Sequence, residues 1–197
     1  MPDDIDWDEY NAAQWGRPPR ESLTHAIAVA GTDGTGRVAV DLGCGEGVEV
    51  AALLDAGWTV HAVDGEAGPL RRLADRAAHP ERLHTLHRSF ADLDALPQAD
   101  LIHSSYALPY CPPAHLDRVW AAVRGALRPG AVLAVQFFGP NDSMAEDPAV
   151  SIHDAEQVRA MLDGLEVVRW VEEDADGDSY CGPTHWHVFH VVARRPG

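Results

Sequence analysis

Along most of the chain, short apolar runs alternate with longer stretches in which apolar residues recur every three or four positions. The runs at residues 37–42, 58–63, 83–87, 100–104 and 131–138 read as strands, and the periodic stretches at 20–30, 46–56, 66–78 and 114–127 read as helices. Leu70, Leu73 and Ala77 form one stripe. Leu116, Val119, Trp120, Val123 and Leu127 form another, with Pro112-Pro113 suited to the start of its helix. Asp154, with Gln157 three residues on, fits a capping box. Strands that alternate with helices predict a parallel sheet covered on both faces. The pattern changes near the end of the chain, where residues 165–171 and 186–193 are two strands joined by an acidic loop, 172–178, with no helix between, so they pair antiparallel. Ahead of all this, residues 3–16 carry Trp7, Tyr10 and Trp15 at near-helical spacing on an acidic background, which reads either as a lid helix or as a tail packing its aromatics on the domain edge. The expectation is one domain over 1–197, with a lid and helix in 1–30 and a core sheet in 31–197.

Composition narrows the partners. At 197 residues and 46% hydrophobic, the chain can build one well-packed core. A formal net charge of -16 repels phosphate backbones and anionic membrane surfaces, so the expected partner is a small molecule, with no nucleic acid and no membrane. Arg71-Arg72, near Asp75, reads as a solvated helix face, and Arg194-Arg195 as a frayed terminus. Three scattered cysteines exclude a disulfide framework. No apolar run approaches a membrane span and Met1 to Glu9 is acidic, so the expected setting is cytoplasmic, as a monomer or homodimer.

The chemistry concentrates at Asp41-Leu42-Gly43-Cys44-Gly45-Glu46-Gly47, where an apolar run breaks into alternating glycines, and at Asp64, where the next run ends in an acid. Glycines serve a backbone that passes close to a ligand. A dinucleotide loop wants G-x-G-x-x-G and a hydrophobic residue where Asp41 stands. This form instead resembles the first motif of the class I S-adenosylmethionine-dependent methyltransferases, whose ligand carries an ammonium and a sulfonium and so tolerates Asp41 and Glu46. Arg17-Pro18-Pro19-Arg20-Glu21, the run 107–113, Phe138-Gly139 followed by Asp142, and the closing run 185–190 are similar to a group of small bacterial methyltransferases related to tellurite-resistance methyltransferases.

The resemblance implies a Rossmann-like class I methyltransferase fold, an α/β arrangement with a mostly parallel seven-stranded sheet, helices on both faces and an antiparallel C-terminal strand pair. It implies S-adenosyl-L-methionine as cofactor and S-adenosyl-L-homocysteine as product. Asp41, Gly43, Cys44, Gly45, Asp64, Ser89, Phe90, Ser104 and Arg17 would meet the cofactor, with Asp64 accepting both ribose hydroxyls. Many members carry an acid where Ser89 stands, so the adenine amino group would fall to backbone or to Asp92. Tyr10, Tyr106, Tyr110 and His187 would shape the acceptor pocket.

Eleven histidines raise the question of a metal. Strand alternation puts His185 and His187 on one face and His190 on the other, so the three do not converge and no metal site is expected. An antiparallel last strand would start at the same sheet edge as the glycine loop, which makes His185 a candidate general base. Cys44 sits where cysteine is common in the resembling family and is not read as a nucleophile. Cys111 and Cys181 lack a neighbour that would activate a thiolate. The expected activity is direct methyl transfer to an O, N or S atom of a small acceptor. The alternatives are a protein that binds the methyl donor as a sensor or for a non-methylating rearrangement, and a nicotinamide-dependent oxidoreductase.

Overall fold

Every apolar run expected to form a strand does so. The computed structural model describes residues 6–197, with strands β1 (Val38–Leu42), β2 (Thr59–Asp64), β3 (Leu83–His87), β4 (Ala99–Ser104), β5 (Leu127–Phe138), β6 (Glu166–Ser179) and β7 (Gly182–Arg194). They form one sheet in the order β3-β2-β1-β4-β5-β7-β6. The first five run parallel, and β7 lies antiparallel to both β5 and β6. The helices are α1 (Trp7–Gln14), α2 (Glu21–Ala30), α3 (Val48–Asp55), α4 (Ala67–Arg76), α5 (Pro113–Ala126) and α6 (Ala155–Met161).

Alternation along the buried strands feeds two cores. Val40, Ile102, Leu133, Val135 and Phe137 enter one, against Val119, Trp120 and Val123 of α5 and Val158 of α6. Ala39, Val60, Leu101, Val132 and Ala134 enter the other, against Leu23 of α2, Val50 and Leu53 of α3, and Leu70 and Leu73 of α4. Asp41 shares the second face, which aims its carboxylate toward α2 and α3. The capping box at Asp154 and Gln157 forms with both reciprocal hydrogen bonds.

Four expectations are corrected. The acidic loop 172–178 is strand: β6 runs unbroken to Ser179 and turns at Tyr180-Cys181, where Gly182 takes a φ of 117°. It is the edge of the sheet, where solvated carboxylates cost little and discourage further pairing. Strand β5, expected over 131–138, starts already at Leu127, which pairs with Ala99. Arg194 and Arg195 are anchored, donating to the carbonyls of Val29 and Leu127. Arg72 is not a solvated charge, because it reaches Glu46 and Asp8. The N-terminal aromatics do form a helix, α1, capped by Asp6, whose side chain accepts from the backbone of Asp8 and Glu9; residues 3–5 lie outside the described residues. Among the described residues no helix is long and apolar enough to cross a membrane.

Phe137 is fully buried and meets Trp120 edge to face at 5.6 Å. Phe137→Ala is expected to lower unfolding stability by about 3–5 kcal/mol, read as a shift of the denaturant midpoint at unchanged slope.

Candidate functional site

The chain leaves β1 and enters α3 through the glycine loop. Gly43 and Gly45 take φ values of +74° and +49°. A Cβ on Gly43 would lie 2.1 Å from the Cβ of Ala107, and one on Gly45 would lie 2.5 Å from Oδ1 of Asn11. Only glycine fits a loop pressed between the turn after β4 and helix α1. The backbone N–H groups of Gly43 and Cys44 donate to the Val63 carbonyl at 2.8 and 3.1 Å, tying the loop to β2. Asp64, the last residue of β2, accepts from Gly45 N at 2.7 Å on one oxygen and from Glu66 N at 2.9 Å on the other. Each oxygen keeps a lone pair, so a fixed carboxylate faces the cleft ready to accept two hydroxyl donors. Burial raises its pKa, and these backbone donors oppose that rise.

Three more carboxylates surround the loop. The Glu46 side chain is buried against Arg72 and Arg76 of α4, with Arg72 Nε at 2.7 Å and an Arg76 nitrogen at 2.5 Å. Burial pushes its pKa up, but the two arginines outweigh burial and leave it below the ordinary glutamate value. Glu49 of α3 takes both guanidinium nitrogens of Arg17 at 2.6 and 2.8 Å and the backbone N–H of Arg20 at 3.1 Å. Burial again raises its pKa, and Arg17, together with His103 and the Arg20 N–H, more than reverses this. Asp41 holds His103 Nδ1 at 2.8 Å, and the other His103 nitrogen lies 3.1 Å from Ser22 Oγ. Burial raises the Asp41 pKa. Its second oxygen, Oδ2, is buried with no hydrogen-bond partner among the described residues, an acceptor that a ligand ammonium or N–H would satisfy.

The far wall is aromatic. Trp7 of α1 meets Tyr110 at 5.0 Å and Tyr10 at 5.6 Å, both edge to face. Tyr106 has a positive φ of 51°, an unusual conformation for a side chain of its size. Its ring carries the Arg20 guanidinium at 4.7 Å and borders Trp186 at 5.6 Å. Burial, aided by Glu173, pushes its phenol up to about 12, and burial raises that of Tyr110 as well. Loop and wall bound one cleft, a concave site of apolar walls with a few convergent polar groups that suits a small ligand.

Of the residues expected at the cofactor, Asp41, Gly43, Cys44, Gly45, Asp64, Ser89, Phe90 and Arg17 line this cleft, and so do Tyr10, Tyr106 and Tyr110 from the acceptor set. Arg17 does so with its charge engaged by Glu49. Ser89 donates to Asp92 at 2.7 Å. Ser104, His185 and His187 are not in the lining. Ser104 is buried within β4. His185 stands between Asp176 and Asp174, each 2.7 Å from a ring nitrogen, on a stretch of β7 that pairs with β6 alone. These carboxylates raise its pKa. His187 packs under Gly139 and joins three segments: its ring nitrogens meet Asn141 N at 3.1 Å and Glu172 at 3.2 Å, and its N–H donates to Asp142 at 3.0 Å. The Cys44 thiol is raised well above its ordinary value, first by burial and then by Asp64 and Asp41, which suits an inert packing role. Trp7, Asn11, Arg20, Glu49 and His103 also line the cleft. His103 sits near the carboxyl end of β4, where open α/β sheets place their ligand crevice.

Residues 40–133 match the family described as a methyltransferase domain. No curated protein matches the chain in sequence. Among solved structures, TehB from Haemophilus influenzae superimposes with a TM-score of 0.75 at 12% identity, over 96% of this chain and 67% of that one. The N-methyltransferase NodS from Bradyrhizobium japonicum WM9, in complex with S-adenosylhomocysteine, gives 0.71 at 16% identity, over 98% and 100%. The 1,6-didemethyltoxoflavin-N1-methyltransferase of Burkholderia thailandensis, with 1,6-didemethyltoxoflavin and S-adenosylhomocysteine bound, gives 0.68 at 20% identity, over 96% and 83%. At these identities the likeness is one of fold.

Two outcomes follow from the loop. Gly43→Ala is expected to weaken S-adenosylhomocysteine binding by about tenfold or more, because the new Cβ displaces the loop or Ala107; calorimetric titration reads it. Glu46 has a depressed pKa, so its pairing stabilises the fold above the ordinary glutamate value of about 4.3 and is lost as pH falls below it. The stability difference between wild type and Glu46→Gln should therefore be largest near neutrality and shrink below about pH 4, measured by urea denaturation across the pH range.

Proposed function

We propose that the chain, whose residues 40–133 match a methyltransferase-domain family and whose fold is shared with methyltransferases crystallised with S-adenosylhomocysteine, takes S-adenosylmethionine as cofactor and transfers its methyl group to a small-molecule acceptor held against the aromatic wall. The observation that carries this reading is the joining, in one cleft, of the glycine loop, the open Asp41 oxygen, the fixed Asp64 carboxylate and the Trp7, Tyr10, Tyr106 and Tyr110 wall. Two structural relatives named for small-molecule or N-methyl transfer support it. We extend the reading to the whole chain as one domain, capped by residues 1–30 and acting as a monomer or homodimer without nucleic acid or membrane.

When bound, the cofactor supplies a methyl already activated on a sulfonium. Asp64 would hold the ribose and Asp41 the ammonium, which fixes the direction of approach. The glycine loop lets the main chain lie close to the ligand, and Ser89 and Phe90 would border the adenine. The aromatic wall aligns the acceptor and excludes water. Tyr106 keeps its phenolic proton at neutral pH, so the wall orients the acceptor and does not deprotonate it. This reading gives His185 and His187 no part in the chemistry. A thiolate or neutral amine acceptor needs no general base. A nicotinamide cofactor is disfavoured by Asp41, which faces the place a diphosphate would occupy.

Turnover with a panel of small acceptors should release S-adenosylhomocysteine. Asp64→Ala should cut the affinity for that product by about tenfold or more while the melting transition is retained. Unchanged affinity in this variant, or tight NAD binding by the wild type, contradicts the assignment.

A further inference from the structure

Three arginines line the cleft: Arg17 is paired with Glu49, Arg88 donates to the His87 carbonyl at 2.9 Å, and the Arg20 guanidinium alone has neither an acid nor a hydrogen bond among the described residues. Glu46 is matched by Arg72 and Arg76, Glu49 by Arg17, Asp41 by His103, and Asp64 by backbone N–H groups. Arg20 has no such partner among the described residues. Among the described residues no carboxylate lies within ion-pair distance of it and no hydrogen bond occupies its guanidinium, which rests instead on the Tyr106 ring at 4.7 Å.

Its place is well fixed. The backbone N–H of Arg20 is pinned to Glu49 at 3.1 Å, on the carboxylate that Arg17 already neutralises. The Tyr106 ring beneath it is set by a left-handed backbone and by Trp186 and Phe138. Glu173, a carboxylate that raises the Tyr106 pKa, is paired with His190 at 3.0 Å. A planar cation stacked on an aromatic face keeps its edge N–H groups free, and that fork matches a two-oxygen anion. Trp7 Nε1 and Ser105 Oγ, buried in the same cleft without hydrogen-bond partners among the described residues, add donors suited to oxygen acceptors.

Building on the methyl-transfer reading, we propose that the acceptor is an aromatic oxyanion, a flat ring bearing a carboxylate or phosphate. Its ring lies among Tyr10, Tyr106 and Tyr110, and its anionic oxygens are gripped by Arg20. The protein's own negative charge repels such molecules at long range, so Arg20 selects for the anion only once it is inside the cleft.

The test uses protein saturated with S-adenosylhomocysteine, titrated with benzoate, phenyl phosphate, benzyl alcohol and benzylamine and followed by tryptophan fluorescence and calorimetry. At least one of the two anions should bind about tenfold or more tighter than benzylamine; which one it is identifies the oxyanion. Arg20→Gln should abolish that preference and Arg20→Lys should restore part of it, with affinity for S-adenosylhomocysteine changed less than about twofold in both. Benzylamine binding as tightly as the anions, no anion binding up to about 10 mM, or full anion binding in Arg20→Gln each overturns the proposal. If wild type fails to bind S-adenosylhomocysteine, the methyl-transfer reading falls with it; if it binds that product and not the anions, only the oxyanion assignment falls.

Discussion

Four carboxylates crowd one loop, and the cost of taking them out of water governs much of the surrounding structure. An uncompensated buried charge would neutralise itself or unfold its surroundings. Each is answered by a different element. Helix α4 turns Arg72 and Arg76 onto Glu46, the segment between α1 and α2 brings Arg17 to Glu49, β4 supplies His103 to Asp41, and the loop's own backbone serves Asp64. The second bond of Arg72, to Asp8 at 2.9 Å, and the Arg76 guanidinium over Trp15 at 3.8 Å carry this network into the cap. Compensation of the loop therefore also positions α1, whose Asn11 closes against Gly45. The glycine loop and helix α1 are one electrostatic unit.

Among the described residues, compensation in the cleft stops short at Asp41 Oδ2 and at the Arg20 guanidinium, and the proposed function uses both. On the loop side the acids are matched except at Asp41 Oδ2, and on the aromatic side Arg20 has no acidic partner among the described residues. The cleft thus offers an open negative group where a cationic cofactor would lie and an open positive group where the acceptor would lie. The hairpin of β6 and β7 completes the enclosure: beyond the point where β7 leaves β5, the ribbon carries Tyr180 onto Tyr10 of α1 at 5.4 Å.

The sheet and the loop are legible from sequence pattern alone, because both are local. Apolar runs, helical stripes, the Asp154 cap and the glycines after β1 are written in neighbouring residues. The compensating pairs are not legible: Arg72 and Glu46 lie 26 residues apart, Arg17 and Glu49 lie 32, and Asp41 and His103 lie 62. No periodicity connects them before the chain is folded. The expectation for His185 rests on strand direction, which is correct, but direction does not reveal that β7 continues past β5 as a two-stranded ribbon. That overhang carries His185 to the acids of β6. The acidic stretch 172–178 misleads for a related reason, since an edge strand with a solvated face has the composition of a loop.

The most direct test of the account is a crystal structure of the protein with S-adenosylhomocysteine bound. It should show both ribose hydroxyls on Asp64, the amino group at the open Asp41 oxygen, and the sulfur facing the Tyr106 and Tyr110 wall. A ligand seated elsewhere, or one whose sulfur turns away from that wall, would contradict it.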